Sequence, residues 1–254
     1  RAVGAAAGEH LKKTVLELGG SDPYVVLADA DLESAVETCV TSRLINSGQS
    51  CIAAKRFVVV EEVAEPFERA FVERMRAVTS GPPLEGEYDI GPLARADLRD
   101  DLHDQVERSV AAGARLRLGG EPPEGPGAFY PPTVLVDVDE ENPARREELF
   151  GPVATIIRVA GEEEAFAVAN ETSFGLGASV FTADTERGIR LATERLEAGA
   201  CFVNAYVRSD PRLPFGGVKD SGVGRELSRF GIREFVNVKT VWACLLYTSP
   251  SPRD

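Results

Sequence analysis

The stretch RFVVV at 56–60 sets four consecutive apolar residues behind one charge, and a run without polar alternation predicts a strand buried on both faces. On either side of it the apolar spacing becomes helical. DLESAVETCVTSRLI places Leu32, Ala35, Val36, Cys39, Val40 and Leu44 on one face behind Asp31, a residue suited to cap a helix start. AEPFERAFVERMRAV repeats the spacing through Phe67, Ala70, Phe71 and Met75, and ADLRDDLHDQVERSVAAG through Leu98, Leu102, Val106 and Val110. TVLEL and YVVLA read as strands separated by the turn GGSDP, and SGPPLEGEYDIGPL reads as loop.

The second half keeps the alternation. Strand ARLRL, the loop GGEPPEGPGAF and strand YPPTVLV come first. Strand TIIRV, helix EEEAFAVANE, strand GASVFT, helix ERGIRLATERL and strand ACFVN follow. The opening AVGAAAGEHLKK is helical in composition, and REFVNVKTVWA reads as a late strand. Strands alternating with helices of this length predict an α/β fold, with a largely parallel sheet flanked by helices. LLYTSPSPRD has neither period and resembles read-through of sequencing-adapter DNA, so the tail is expected to be foreign to the fold.

Composition narrows the functional classes. With 28 basic and 41 acidic residues the net charge is −13, which opposes nucleic acid and anionic membranes as partners. No apolar run approaches the ~20 residues of a membrane-spanning helix. Cys39, Cys51, Cys201 and Cys244 form no CxxC pair, and His10 and His103 lie in no ligand-like spacing, so no metal site is expected. Free thiols in a reducing cytoplasm are the expectation for three of the four.

Two residues invite chemistry. Cys51 stands in NSGQSCIAAKR, between a small polar turn and the buried strand, and Glu17 stands in VLELGG between two leucines. A thiolate adds readily to a carbonyl carbon and later leaves from a thioester. A carboxylate in apolar surroundings gains basicity and can activate the water that hydrolyses that thioester. Taken singly, such a Glu is more often an outward strand residue and such a Cys a packed core residue. The glycine-rich runs add no phosphate site: GGVKDSGVGRE lacks GK[ST], and GVGREL lacks the third glycine of GxGxxG.

Together, LELGGSDP and NSGQSCIAAKR resemble the aldehyde dehydrogenase superfamily. EELFGPV at 147–153, LPFGGVKDSGVGRE at 213–226 and EFVNVKTVW at 234–242 continue the resemblance in the family's order. It implies an aldehyde dehydrogenase-like catalytic domain, with Cys51 as the nucleophile and Glu17 as the base for thioester hydrolysis. Glu17 also favours release of a free acid over transfer to coenzyme A. Glu148 would bond the nicotinamide ribose of NAD or NADP. Phe150, Leu18 and Gly19 would lie near the nicotinamide, and Phe215 would line the aldehyde site.

The implied organisation is a cofactor-domain remnant at 1–20, a catalytic domain at 21–220, a return segment with an oligomerisation strand at 221–243, and a non-native tail at 244–254. Family members are longer and form homodimers or homotetramers, so the chain is expected to be a fragment, inactive alone. GQSCIAAKRF with SDPRLPFGGVK resembles the bacterial succinate-semialdehyde dehydrogenases, which act on a small aldehyde. The better-studied enzymes of that activity carry an Arg six residues before the cysteine, where this chain has Ile45, leaving Arg208 or Arg212 to hold a substrate carboxylate. A folding and oligomerisation module without catalysis is the alternative. A cysteine hydrolase is disfavoured because neither histidine has a catalytic context.

Overall fold

Strands and helices alternate along the chain in the computed structural model, which describes residues 1–244. The expected foreign segment 245–254 lies outside the described residues. Helix α1 (Ala2–Glu9) and the short strand β1 (Leu16–Glu17) precede β2 (Pro23–Val26), α2 (Leu32–Leu44) and β3 (Arg56–Val60). Helices α3 (Glu61–Arg76) and α4 (Ala96–Ala111) lead to β4 (Arg115–Leu118), β5 (Thr133–Val136) and the single turn α5 (Pro143–Arg146). Then come β6 (Val153–Val159), α6 (Glu162–Asn170), β7 (Gly177–Phe181), α7 (Thr185–Glu194) and β8 (Ala200–Val203). Strand β9 (Gly222–Val223) and helix α8 (Ser228–Glu234) come last.

Seven strands form one sheet in the order β4-β5-β6-β3-β2-β7-β8, parallel throughout except where β4 runs against β5. Strand β3 lies at its centre, which is why RFVVV contains no outward polar position. Alternate residues of the central strands feed two cores. Tyr24, Val26, Phe57 and Val59 pack beneath α2 and α3 with Cys39, Phe67 and Phe71, whereas Val25, Val58 and Val60 meet Phe166 of α6 and Ala192 of α7. Asp31 caps α2 as expected, accepting a hydrogen bond from the Ser34 amide at 3.2 Å.

Three expectations need correction. Helix α3 starts at Glu61, directly after β3, so Pro66 falls inside it rather than near its start. Val110 is exposed. The inward position at that end of α4 belongs to Ser109, whose carbonyl accepts from Asn142 Nδ2 at 2.9 Å. The strand expected in REFVNVKTVWA is absent: α8 takes its first residues, and 235–244 form no strand. Val238 and Trp242 there are 91% and 85% exposed. A strand needs a neighbouring edge to satisfy its amides, and no described strand of this chain pairs with that segment.

A two-stranded antiparallel sheet links the ends of the chain. Leu16 pairs with Val223 and Glu17 with Gly222, so the VLELGG segment is clamped by residues more than 200 positions away.

Candidate active site

Cys51 lies five residues before β3. Gly20 precedes β2, Glu148 precedes β6 and Leu176 precedes β7, so all four gather at the amino edge of the parallel strands. The turn that presents Cys51 is unusual in its backbone. Asn46, Ser47 and Gly48 all have positive φ, at 51°, 56° and 77°. Such a conformation in a serine costs about 1–3 kcal/mol and persists only when surrounding contacts over-determine it. Here they do. Arg43 Nη2 donates to the Gly48 carbonyl at 2.7 Å, Asn46 and Gln49 exchange side-chain to backbone bonds, and Gln49 Oε1 accepts from the Ala94 amide at 2.7 Å.

The run LELGG touches one feature of the site after another. A Cβ at Gly20 would stand 2.7 Å from the Cys51 carbonyl oxygen, and one at Gly19 would overlap the Glu148 carboxylate. Only glycine permits this approach. Ser221, fully buried, fastens the run from below: its Oγ donates to the Gly19 carbonyl at 2.6 Å, and its carbonyl accepts from the Leu18 amide at 3.1 Å. Glu17 faces Gly216, where a Cβ would come within 2.9 Å of its Oε1 atom.

The two carboxylates differ in their surroundings. Both Glu17 oxygens are sealed from solvent, and neither meets hydrogen-bond geometry with any donor among the described residues. Burial raises its pKa, and the nearby charge of Glu226 adds to the rise. The Gly217 amide and Arg225 oppose it without cancelling it. Glu148 Oε1, by contrast, accepts from the Gly20 amide at 3.0 Å and lies 3.4 Å from Lys55 Nζ.

Lys55 is buried with its ammonium under the Cys51 turn. It donates to the carbonyls of Ser50, Cys51 and Ala53 at 3.2, 3.0 and 3.0 Å. Burial and the neighbouring Arg43 pull its pKa down to about 8, against the pull of Glu148, Asp22 and Cys51. Asp22, also buried, is pushed up to about 6 by desolvation although Lys55, the Gly177 amide and Arg56 favour its charge. Its Oδ1 accepts from Gly177 N at 3.0 Å, and its Oδ2 has no hydrogen-bond partner among the described residues. Burial raises the Cys51 thiol above its ordinary value. Lys55 acts to lower it, and Asp22 and Glu148 to raise it.

Of the residues singled out from the sequence, Cys51, Gly19 and Glu148 come together directly through the Gly19–Gly20 pair, and Glu17 joins them through the same run. Leu18 and Phe150 are 42% and 40% exposed, apolar surfaces beside Gly19 and Glu148 in the chain. Phe215 is nearly buried, bonded through its backbone to Glu226 on the Glu17 side. Sequence reasoning missed Asp22, Arg43, Lys55, Ser221 and Glu226. Lys55 and Arg56 left a usable signal, since a basic pair opening a wholly buried strand cannot reach water along the strand.

The aldehyde dehydrogenase family model matches residues 1–241. An NAD(P)+ succinate semialdehyde dehydrogenase of Escherichia coli is 54% identical over 241 residues, covering 95% of this chain and 52% of that relative. Among solved structures, an aldehyde dehydrogenase of Mycobacterium tuberculosis complexed with NAD+ superposes with a TM-score of 0.93 at 37% identity, over 98% of this chain and 52% of that one. The succinic semialdehyde dehydrogenase of Streptococcus pyogenes in complex with NADP+ gives 0.92 at 38% identity, over 95% and 53%. The chain spans about half the length of the curated relatives it matches. With the α/β architecture and nearly the whole chain matched, the chain belongs to the aldehyde dehydrogenase family.

Proposed function

We propose that the chain is the catalytic half of an NAD(P)-dependent aldehyde dehydrogenase, with Cys51 as the nucleophile and Glu17 as the base. The observation that carries this is the Glu17 carboxylate: sealed, without a donor in good hydrogen-bond geometry among the described residues, raised in basicity, and three residues before the glycine that packs on the Cys51 carbonyl. Burial raises the Cys51 thiol above its ordinary value, so addition to an aldehyde begins with transfer of the thiol proton to solvent water. The sulfur then bonds the aldehyde carbon, and the resulting alkoxide takes a hydrogen bond from the Cys51 amide. The dinucleotide, when bound, supplies the hydride acceptor. Glu17 next removes a proton from water, which attacks the thioester, releasing the carboxylic acid and the thiolate.

The chain's residues fit the nicotinamide end of that cofactor. Gly19 leaves open the space a side chain would fill against Glu148, and the exposed faces of Leu18 and Phe150 border it. Glu148 would hold the ribose, and NAD and NADP both suit this end. Phe215 would line the aldehyde path.

The substrate reading is succinate semialdehyde or a similar small aldehyde, supported by the names of the relatives. Arg212 is engaged in a bidentate pair with Asp210 at 2.9 and 2.7 Å, whereas Arg208 stacks over Tyr206 at 5.9 Å. Arg208 is therefore the better candidate for a substrate carboxylate. The exposed Val236, Val238, Val241 and Trp242 support a homo-oligomer that covers this apolar segment. They also suit the second reading, a folding and oligomerisation module without catalysis.

Cys51→Ala in the longer enzyme carrying this chain decides between the two. The variant is expected to fold as wild type and to lose aldehyde oxidation. Turnover within about tenfold of wild type, a barrier difference of only ~1.4 kcal/mol, would remove Cys51 from the chemistry. The chain by itself is expected to lack steady dehydrogenase turnover, since the remote contacts that orient a dinucleotide belong to the rest of such an enzyme.

A further inference from the structure

Lys55 has a use that the reaction above leaves unassigned. An ammonium has three N–H donors, and Lys55 directs them at three carbonyls of one tight turn, those of Ser50, Cys51 and Ala53. The same nitrogen stands 3.4 Å from Glu148 Oε1, with its side chain only 1% exposed. That carboxylate oxygen is in turn fixed by the Gly20 amide, and Gly20 packs on the Cys51 carbonyl. One buried cation thus closes a ring of contacts through the sulfur-bearing turn, the glycine run and the Glu148 loop.

We propose that Lys55 is a positioning residue of this site, which holds the Cys51 turn by its carbonyls, tethers Glu148 against Gly20, and places one positive charge beneath the sulfur. The proposal rests on the reading of Cys51 as the nucleophile. Around it stand Arg43 from α2, Asp22 before β2 and Glu148 before β6; the two carboxylates also face the sulfur, and Arg56, next along β3, faces Asp22. Lys55 favours the thiolate, and Asp22 and Glu148 oppose it. A neutral side chain at position 55 would remove the lysine donor from the Cys51 and Ala53 carbonyls, leave the Ser50 carbonyl to the Ala53 amide alone, and take a positive charge from both carboxylates. An ordinary filler of a buried niche would carry no charge to the sulfur, and that difference is measurable.

The test is the pH dependence of iodoacetamide alkylation at Cys51 in the full chain, resolved from Cys39, Cys201 and Cys244 by peptide mass spectrometry. Lys55→Met is expected to move the profile upward by about one unit, which is a tenfold slower alkylation below the midpoint. Glu148→Gln, at a partly exposed side chain, is expected to move it downward, and serves if Lys55→Met does not fold. Lys55→Arg should restore most of the wild-type profile. Coincident profiles for wild type and Lys55→Met, or for wild type and Glu148→Gln, would overturn the proposal. Because alkylation needs neither aldehyde nor dinucleotide, this failure is distinct from an active Cys51→Ala enzyme, which would remove the nucleophile reading instead.

Discussion

The β1–β9 pair and the loop before β6 each bring one carboxylate to the amino edge of the sheet. On the first, Glu17 is sealed, with only the Gly217 amide and Arg225 near enough among the described residues to favour its charge; on the second, Glu148 is held by the Gly20 amide and Lys55. A carboxylate so weakly held keeps its raised basicity for a water proton. A carboxylate already bound by an amide and an ammonium has a better defined position. The contrast separates a group suited to moving a proton from one suited to orienting a ligand, although both are glutamates at the same edge of the sheet.

The most damaging way to break that contrast is to remove proton acceptance at Glu17. In the longer enzyme, Glu17→Gln should lower steady turnover by roughly 10²–10⁴-fold while leaving the first hydride transfer, so an NADH burst precedes slow turnover. Rapid-quench sampling should trap acyl-enzyme on Cys51; absence of both burst and acyl group would put Glu17 in an earlier step. The sign of the pH dependence follows from burial. Because the Glu17 pKa is raised, the wild-type rate should fall as pH drops through a value above the ordinary carboxylate range.

Glu148→Gln should act on affinity. The amide keeps the shape but loses the charge, so cofactor KM is expected to rise about tenfold, near 1.4 kcal/mol, with a smaller change in kcat. An acyl-enzyme burst in this variant, with unchanged KM, would show that the two glutamates had been assigned the wrong way round.

Asp22 sharpens the comparison from beneath. Its folded pKa of about 6 stands above the ordinary 3.8, so the folded state holds a proton that the unfolded state has released. Stability should therefore decline as pH rises from about 4 to about 6, by on the order of 3 kcal/mol if this group acts alone. Urea unfolding of wild type and Asp22→Asn across that window should show the slope only in the former. Parallel curves would mean that Lys55 and Arg56 already keep Asp22 ionised.

The fold was legible where local pattern and burial agree. RFVVV, TIIRV and GASVFT announce central parallel strands, and the spacing of Cys39 with Val40 and of Phe67 with Phe71 announces the helices above them. What escaped was long-range. Nothing near VLELGG says that Gly222 and Val223 will pair with it, and nothing in REFVNVKTVWA says that this segment lacks a partner edge within the chain. The site was legible as isolated motifs around Cys51 and Glu17. Its electrostatic floor was not, because Lys55 and Asp22 read as strand-end and turn residues until the packing shows that neither reaches water.

The placement of Cys51 at the amino edge of the parallel strands has an electrostatic consequence. Helices α2, α6 and α7 each run back from the opposite edge, so their carboxyl ends, the negative poles of their peptide dipoles, point towards this one. Arg56 meets that field directly, donating to the last-turn carbonyls of Val168 and Ala169 at 2.9 and 3.0 Å. Arg43 does the same just beyond α2, at the Gly48 carbonyl. Phosphates are usually received at helix amino ends, and those of α2, α6 and α7 lie on the far side of the sheet. The three carboxyl poles therefore contribute a field at the edge that carries the sulfur that favours cations over polyanions, and through that contribution a flat cationic ring would be drawn there more strongly than its neutral, reduced form.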